Sequence, residues 1–304
     1  MVAPQQISPK GAITMAKQTK DSLGDRMKSN YENRSKTYLT RRTATCIRLD
    51  GKAFHSFTRH FKRPYDECFH EAMNETMMYL CKNIMGCKLG YTQSDEITLV
   101  LTDYDTLTTE AWFDYGVQKM CSVAASMATM AFNKAFAKAT RDFRRRVNNA
   151  FTCTDEEAKL CAAYEKAIDT GAMFDARVFN LPDEEVANCL IWRQQDATRN
   201  AIQMLGQTHF SSKELHKKSQ SDIQDMLMLQ KGINFNDMPA EFKRGICCIR
   251  AHVPVDETDS VIANIADKPQ LSAVKTRYQW KLDKEIPIFT QDRQYITRAL
   301  PKRP

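Results

Sequence analysis

No apolar run in this 304-residue chain approaches the roughly 20 residues that a bilayer crossing needs, and the N-terminal stretch MVAPQQISPKGAITMAKQTK has no short apolar core of a secretory leader. These absences predict a cytoplasmic chain with no membrane partner. No CxxC pair occurs. The ten cysteines are scattered singles apart from the neighbours Cys247 and Cys248, which argues against a zinc cage or a dithiol redox motif and predicts reduced, mostly buried thiols. Neither a GxxxxGK[ST] loop nor a GxGxxG turn is present, so the P-loop and Rossmann routes to a nucleotide are closed. Internal repeats are absent as well. Acids do not dominate: 44 Lys+Arg against 37 Asp+Glu leave a net charge of +7, which is compatible with a polyanionic partner.

What is present reads as alternating helices and strands. Residues 1–20 are polar and broken by Pro4 and Pro9, the composition of a flexible tail. DSLGDRMKSNYENRSK predicts a helix capped by Asp21 or Ser22, and TATCIRLD a strand ending at the turn pair Asp50-Gly51. In RPYDECFHEAMNETMMYLCKNIMG, Phe69, Met73, Met77, Tyr79, Leu80 and Ile84 recur at helical spacing. CKLGYTQSDEITLVLTD follows as a hairpin, TTEAWFDYGVQKMCSVAASMATMAFNKAF as a second long helix, FDARVFNL as a fourth strand, and DEEVANCLIWRQQDATRNAIQML as a third helix capped by Asp183. This order predicts an α+β fold: an antiparallel, ferredoxin-like split βαβ sheet of the polymerase-palm type, with helices packed on one face and a helical C-terminal part. The expected divisions are a tail over 1–20, a palm-like catalytic region over 21–150, its continuation over 151–262, and a basic segment over 263–304.

If the TCIRLDG strand and the QSDE hairpin are neighbours, Asp50 and Asp95 meet at one sheet edge, where a pair of carboxylates suits magnesium-dependent phosphoryl transfer. Each is also compatible with an ordinary role, Asp50-Gly51 as a turn and Asp95-Glu96 as a solvated hairpin tip. Lys52, His55, Lys62, Arg63 and Ser94 are phosphate-type ligands within reach of the same edge, and His55 could equally pack beside Phe54 and Phe57.

Together RLDGKAFHSF, FKRPYDE, GYTQSDE, FDARVF and WRQQDATRNA resemble the tRNA-histidine guanylyltransferase family and its guanylyltransferase-like relatives, which extend RNA in the 3′-to-5′ direction. The likeness runs from about Asp21 to about Arg250 and includes KGINFNDMPAEFKRG. It implies that Asp50, the Gly51 carbonyl and Asp95 hold two Mg²⁺ ions, with Glu96 as a further catalytic carboxylate. It also implies that His55, Ser94 and Arg63, with Lys62 as the alternative basic residue, meet a nucleoside triphosphate, ATP, GTP or another, and that the chain works on tRNA as a homotetramer; Lys52 and Phe54 complete the candidate nucleotide-binding set.

One departure from the family pattern bears on specificity. Where eukaryotic tRNA-histidine enzymes carry histidine followed by Ile-Asn-Asn, this chain reads TRNA, with Thr198 and Arg199 at the first two positions. The resemblance therefore points to the branch that repairs 5′-truncated tRNA against its opposite strand, with G addition at position −1 as the alternative. A palm-type nucleotide cyclase and a non-catalytic RNA-binding module are the other readings. Trp192, Arg193, Asp196 and Asn200 share a helix face suited either to packing, with an Asp-to-Arg bond, or to RNA. Arg177, Arg193, Arg199, Asn200, Arg144 and Arg145 are the candidate RNA contacts, and RDFRRR and the basic, aromatic C-terminus the candidate backbone surfaces.

Overall fold

The computed structural model describes residues 22–150, 153–254 and 276–303. The tail over 1–20 lies outside them, as does residues 263–275 of the basic C-terminal segment. The described residues fall into two compact units, one ending at Thr37 and the other starting at Tyr38. In the first, α1 (Leu23–Asn30) starts at Ser22, whose hydroxyl accepts the Asp25 backbone N–H.

The second unit is built on β1 (Ala44–Gly51), α2 (Phe54–Phe57), α3 (Glu67–Asn83), β2 (Cys87–Gln93), β3 (Glu96–Leu101), α4 (Val117–Asn149), α5 (Asp155–Thr170), β4 (Phe174–Leu181), α6 (Asp183–His209), α7 (Gln220–Lys231), α8 (Ala240–Arg244), β5 (Ile246–Pro254), β6 (Thr276–Asp283) and α9 (Gln294–Thr297). The strands form one antiparallel sheet in the order β4-β1-β3-β2-β5-β6. The four predicted strands are its first four members; β5 and β6 extend it to six. Among the described residues, no helix is long and apolar enough to cross a membrane.

Strand alternation sends successive side chains to opposite faces. Ile47, Leu49, Ile97, Leu99 and Leu101 meet Met73, Met77 and Leu80 of α3 and Ala124, Ala128, Phe132 and Phe136 of α4. Burying each large side chain here contributes about 1.5–3 kcal/mol. Small residues let the layers approach, and at Gly90 a Cβ would lie 2.5 Å from the Cys81 sulfur.

The opposite face is covered too, which corrects the expectation of helices on one face only. Ala44, Cys46, Leu89, Tyr91 and Val100 pack against Val186, Ala187, Leu190 and Ile191 of α6. A helical period shows which side of a helix is apolar but not which side of a sheet receives it. The C-terminal half of α6 leaves the sheet and packs Ala201, Ile202 and Leu205 on Ile223 and Leu227 of α7. Its N-cap is Pro182 and not Asp183, whose carboxylate instead accepts from the Tyr104 hydroxyl at 3.0 Å and from Arg303 at 2.8 Å. All ten cysteines are free, six of them buried.

Candidate active site

Directly opposite residues of an antiparallel pair share a sheet face. Asp50 stands opposite Glu96 of β3 and Asp175 of β4, so three acids form one row across the end of the sheet. One row further in, Arg48 stands opposite Arg177 and Thr98. Both rows lie on the α6 side, where Glu96 accepts from Arg193 at 2.7 Å.

Asp95 joins this edge from the β2-β3 connection. Gln93 pairs with Glu96, leaving Ser94 and Asp95 as a two-residue turn, and Ser94 takes the left-handed conformation at φ 52°. The Gly51 N–H donates to the Asp95 carbonyl at 3.1 Å, which ties the turn to the end of β1. Gly51 is required for packing: a Cβ there would lie 2.3 Å from the Phe54 ring.

These acids ionise against resistance. Burial, then the charge of Asp50, lifts the Asp95 carboxyl above its ordinary value, with partial relief from its own backbone N–H and the Ser94 hydroxyl. Asp50 is lifted by burial and then by Asp175, offset in part by Arg177 and Arg48. Burial also lifts Glu96, although Arg193 opposes it. Glu96 therefore has a cation in direct contact, shared with Asp196, whereas Asp50 and Asp95 form no salt bridge among the described residues. No group of three or more His, Cys, Asp or Glu side chains among the described residues is placed to hold a metal by itself. Two crowded carboxylates beside main-chain carbonyls nevertheless form a hard-oxygen donor set short of positive charge, which fits a divalent cation completing its shell with water and substrate oxygens.

Beside Asp95 opens a cavity of about 360 Å³ lined by Phe54, His55, Lys62, Arg63, Ser94 and Asn200. The basic loop on its rim is anchored by buried Asp66, which accepts from the backbone N–H groups of Lys62 (3.0 Å) and Phe69 (2.9 Å) and from the Tyr164 hydroxyl (2.7 Å). The structure thus brings together Ser94, Asp95, His55, Lys62 and Arg63, all named from the sequence. Phe54 lines the cavity with an edge only, because its ring is 3% exposed within a cluster with Phe57, Phe69, Phe132 and Phe174.

Lys52 is not brought there. Ala53 adopts a left-handed conformation at φ 57°, the chain turns, and Lys52 lines a separate cavity. Arg193 is also displaced from its expected role as a surface RNA contact. It is spent internally, on Glu96 and on Asp196 at 2.9 Å, and it stacks 4.5 Å from the Trp192 ring. Asp196 also accepts from Arg199 at 2.7 Å, so the Asp-to-Arg bond foreseen for this helix is present twice. Arg144 pairs with Glu165, Arg145 with Asp142 at 3.7 Å and Arg177 with Asp175 at 3.8 Å. Thr198 and Arg199 line a cavity different from the one that receives Asn200.

Sequence reasoning missed Gln203, Met204 and Gln207, which extend the Asn200 wall of the cavity. Their spacing of three, four and seven residues from Asn200 puts them on one helix stripe, and the polar members Gln203 and Gln207 were the available signal.

Comparisons with known proteins show what the chain is similar to. A family profile described as tRNAHis guanylyltransferase matches residues 24–182. A bacterial tRNA(His) guanylyltransferase-like protein solved in complex with ATP is 38% identical, covering 91% of this chain and 98% of its own, with a TM-score of 0.70. A bacterial protein of the same description in complex with GTP is 36% identical, covering 92% and 99%, with a TM-score of 0.68. Among curated proteins, a probable tRNA(His) guanylyltransferase of Dictyostelium discoideum is 24% identical over 238 residues, or 74% of this chain and 81% of the relative.

Proposed function

Because the chain belongs to the tRNAHis guanylyltransferase family and is a nucleotidyltransferase that acts on tRNA, we propose that it adds nucleotides to tRNA 5′ ends in the 3′-to-5′ direction, repairing truncated ends against the opposite strand. The observation that carries this reading is the cation-short pair Asp50 and Asp95 beside a cavity rimmed by His55, Lys62, Arg63 and Ser94. The complexes of the two bacterial neighbours with ATP and GTP support nucleoside triphosphates as its substrates.

In the proposed reaction the 3′-hydroxyl oxygen of the incoming nucleotide bonds to the 5′ phosphorus of the tRNA. From a triphosphorylated end pyrophosphate leaves, and from an end first adenylylated by ATP the leaving group is AMP. Asp50, Asp95 and the Gly51 carbonyl would hold two Mg²⁺ ions, whose chemistry is to favour ionisation of the attacking hydroxyl and to neutralise the leaving group. The chain's own groups do the positioning. Arg63, Lys62 and His55 face the phosphates, the Ser94 hydroxyl is available to them, and Arg193 holds Glu96 beside Asp50. Lys52 does not enter this binding set, because it lines a separate cavity, and Phe54 enters it as part of the cavity wall.

Thr198 and Arg199 in place of the family's His-Ile pair support choice of base by template pairing over obligatory G addition. The test is an extension assay with 5′-monophosphate and 5′-triphosphate tRNAs lacking their first nucleotide. Mg²⁺-dependent incorporation of the complementary base is expected, and addition of G whatever the opposite base would instead indicate the −1 G reaction. Product from triphosphate alone, without RNA, would indicate a cyclase. The proposal extends to a cytoplasmic location and, by family resemblance, to a homotetramer, and a stable active monomer in light scattering would exclude the tetramer.

A further inference from the structure

A second cavity, of about 450 Å³, lies across α2 from the first. Its charged and titratable lining is Lys52, Arg59, His60 and Lys166, with Phe57 and Phe61 in its wall. No acid lines it, and among the described residues none of these four side chains forms an ion pair. Nearby cations differ: Lys62 lies 3.8 Å from Glu67, Arg177 lies 3.8 Å from Asp175, and Arg144 pairs with Glu165. Like charges gathered without a counter-charge repel one another and cost stability unless an anion occupies the space between them.

The position narrows the choice of anion. Lys52 directly follows Gly51 at the acid edge, Phe61 lines both cavities, and the single helical turn α2 forms the partition between them. A free nucleoside triphosphate travels with a divalent cation and needs carboxylates to receive it. Carboxylates stand on the other side of α2, and here there are only cations, the environment that suits metal-free phosphodiester oxygens.

We infer that this cavity binds backbone phosphates of the RNA substrate next to its 5′ end, while free nucleotides occupy the cavity across α2. The inference rests on the proposed reaction, because it takes the RNA end to be delivered to the Asp50–Asp95 edge. On this assignment Lys52 is an RNA contact and not a triphosphate contact.

The test measures affinity for a 5′-truncated tRNA over a salt series, and for GTP, with the Arg59→Ser/Lys166→Ser double variant and circular dichroism as a check on folding. Weakening of tRNA binding by about tenfold or more near 0.1 M salt is expected. The slope of log affinity against log salt should fall by roughly 0.7–0.9 per lost phosphate contact, with GTP affinity unchanged. The charge-conserving pair Arg59→Lys/Lys166→Arg should keep the slope. If the double variant does not fold, Lys166→Ser alone, at an exposed helix position, should lose one contact's share. An unchanged tRNA slope overturns the inference, and weakened GTP binding with intact tRNA binding assigns the cavity to free triphosphate and overturns it as well. Asp95→Ala, run in parallel, separates the two proposals: it should abolish addition and keep tRNA binding, and surviving addition would refute the reaction while leaving the phosphate cavity to its own test.

Discussion

The two faces of the sheet do different work. Toward α3 and α4 the inward positions of β1 and β3 are apolar except for buried Thr45, with Ile47, Leu49, Ile97, Leu99 and Leu101 fully buried. Toward α6 the same strands carry Ala44, Cys46 and Val100 at one end of the sheet and Arg48, Thr98, Asp50 and Glu96 toward the other. One face is spent on stability. The other gives up part of its burial energy to keep ionised groups where a substrate can reach them, and α6 covers it with its own ion pairs.

Substitutions on either face should therefore separate activity from stability. The largest effect is expected for Asp95→Ala, which should slow nucleotide addition by at least about a thousandfold, or about 4 kcal/mol in the barrier, without lowering the unfolding temperature. Single-turnover extension and a thermal melt check both halves. Phe132→Ala on the opposite face should do the reverse, costing about 3–5 kcal/mol of stability in a urea titration while the folded fraction keeps its turnover.

A smaller effect is expected for Arg193→Met, which strands Glu96 beside Asp50 and should cost about 2 kcal/mol. Adding Glu96→Gln should recover most of that loss, and a double-mutant cycle reads the coupling. A purely solvent-exposed role for Arg193 would give no coupling.

The smallest effect concerns pH. The lifted Asp95 and Asp50 carboxyls bind protons more readily in the folded chain than in the unfolded one. Their contribution to stability is thus full below the ordinary carboxylate value of 3.8 and is lost as pH rises through the lifted values. In metal-free buffer Asp95→Asn should accordingly melt above the parent near neutrality and lose the advantage toward pH 3. Added Mg²⁺ should raise the melting temperature of the parent more than that of the variant.

Much of the site could be read from local signals. The QSDE turn, the strand ending at Asp50-Gly51 and the basic FKRP loop all stand where their residue types suggested, because turn residues and alternating apolar residues act over a few positions. What could not be read depended on contacts distant in sequence. Lys52 and His55 are three residues apart yet line different cavities, since the chain turns through a left-handed Ala53, a conformation that alanine does not itself favour. The pairing of β6 with β5 and the landing of α6 on the far face are likewise tertiary outcomes. Helix α5 was not foreseen, although Thr154 and Glu157 form a capping box at its start that the sequence displays.

The Asp66 carboxylate has a mechanical consequence. It holds the Lys62 and Phe69 amides and the Tyr164 hydroxyl at once, so the rim of the cavity beside Asp95, the first turn of α3 and the middle of α5 share a single fastening. Residues more than ninety positions downstream thereby set the stance of the basic loop that carries Lys62 and Arg63, and any graft or deletion that shifts α5 will be felt there first.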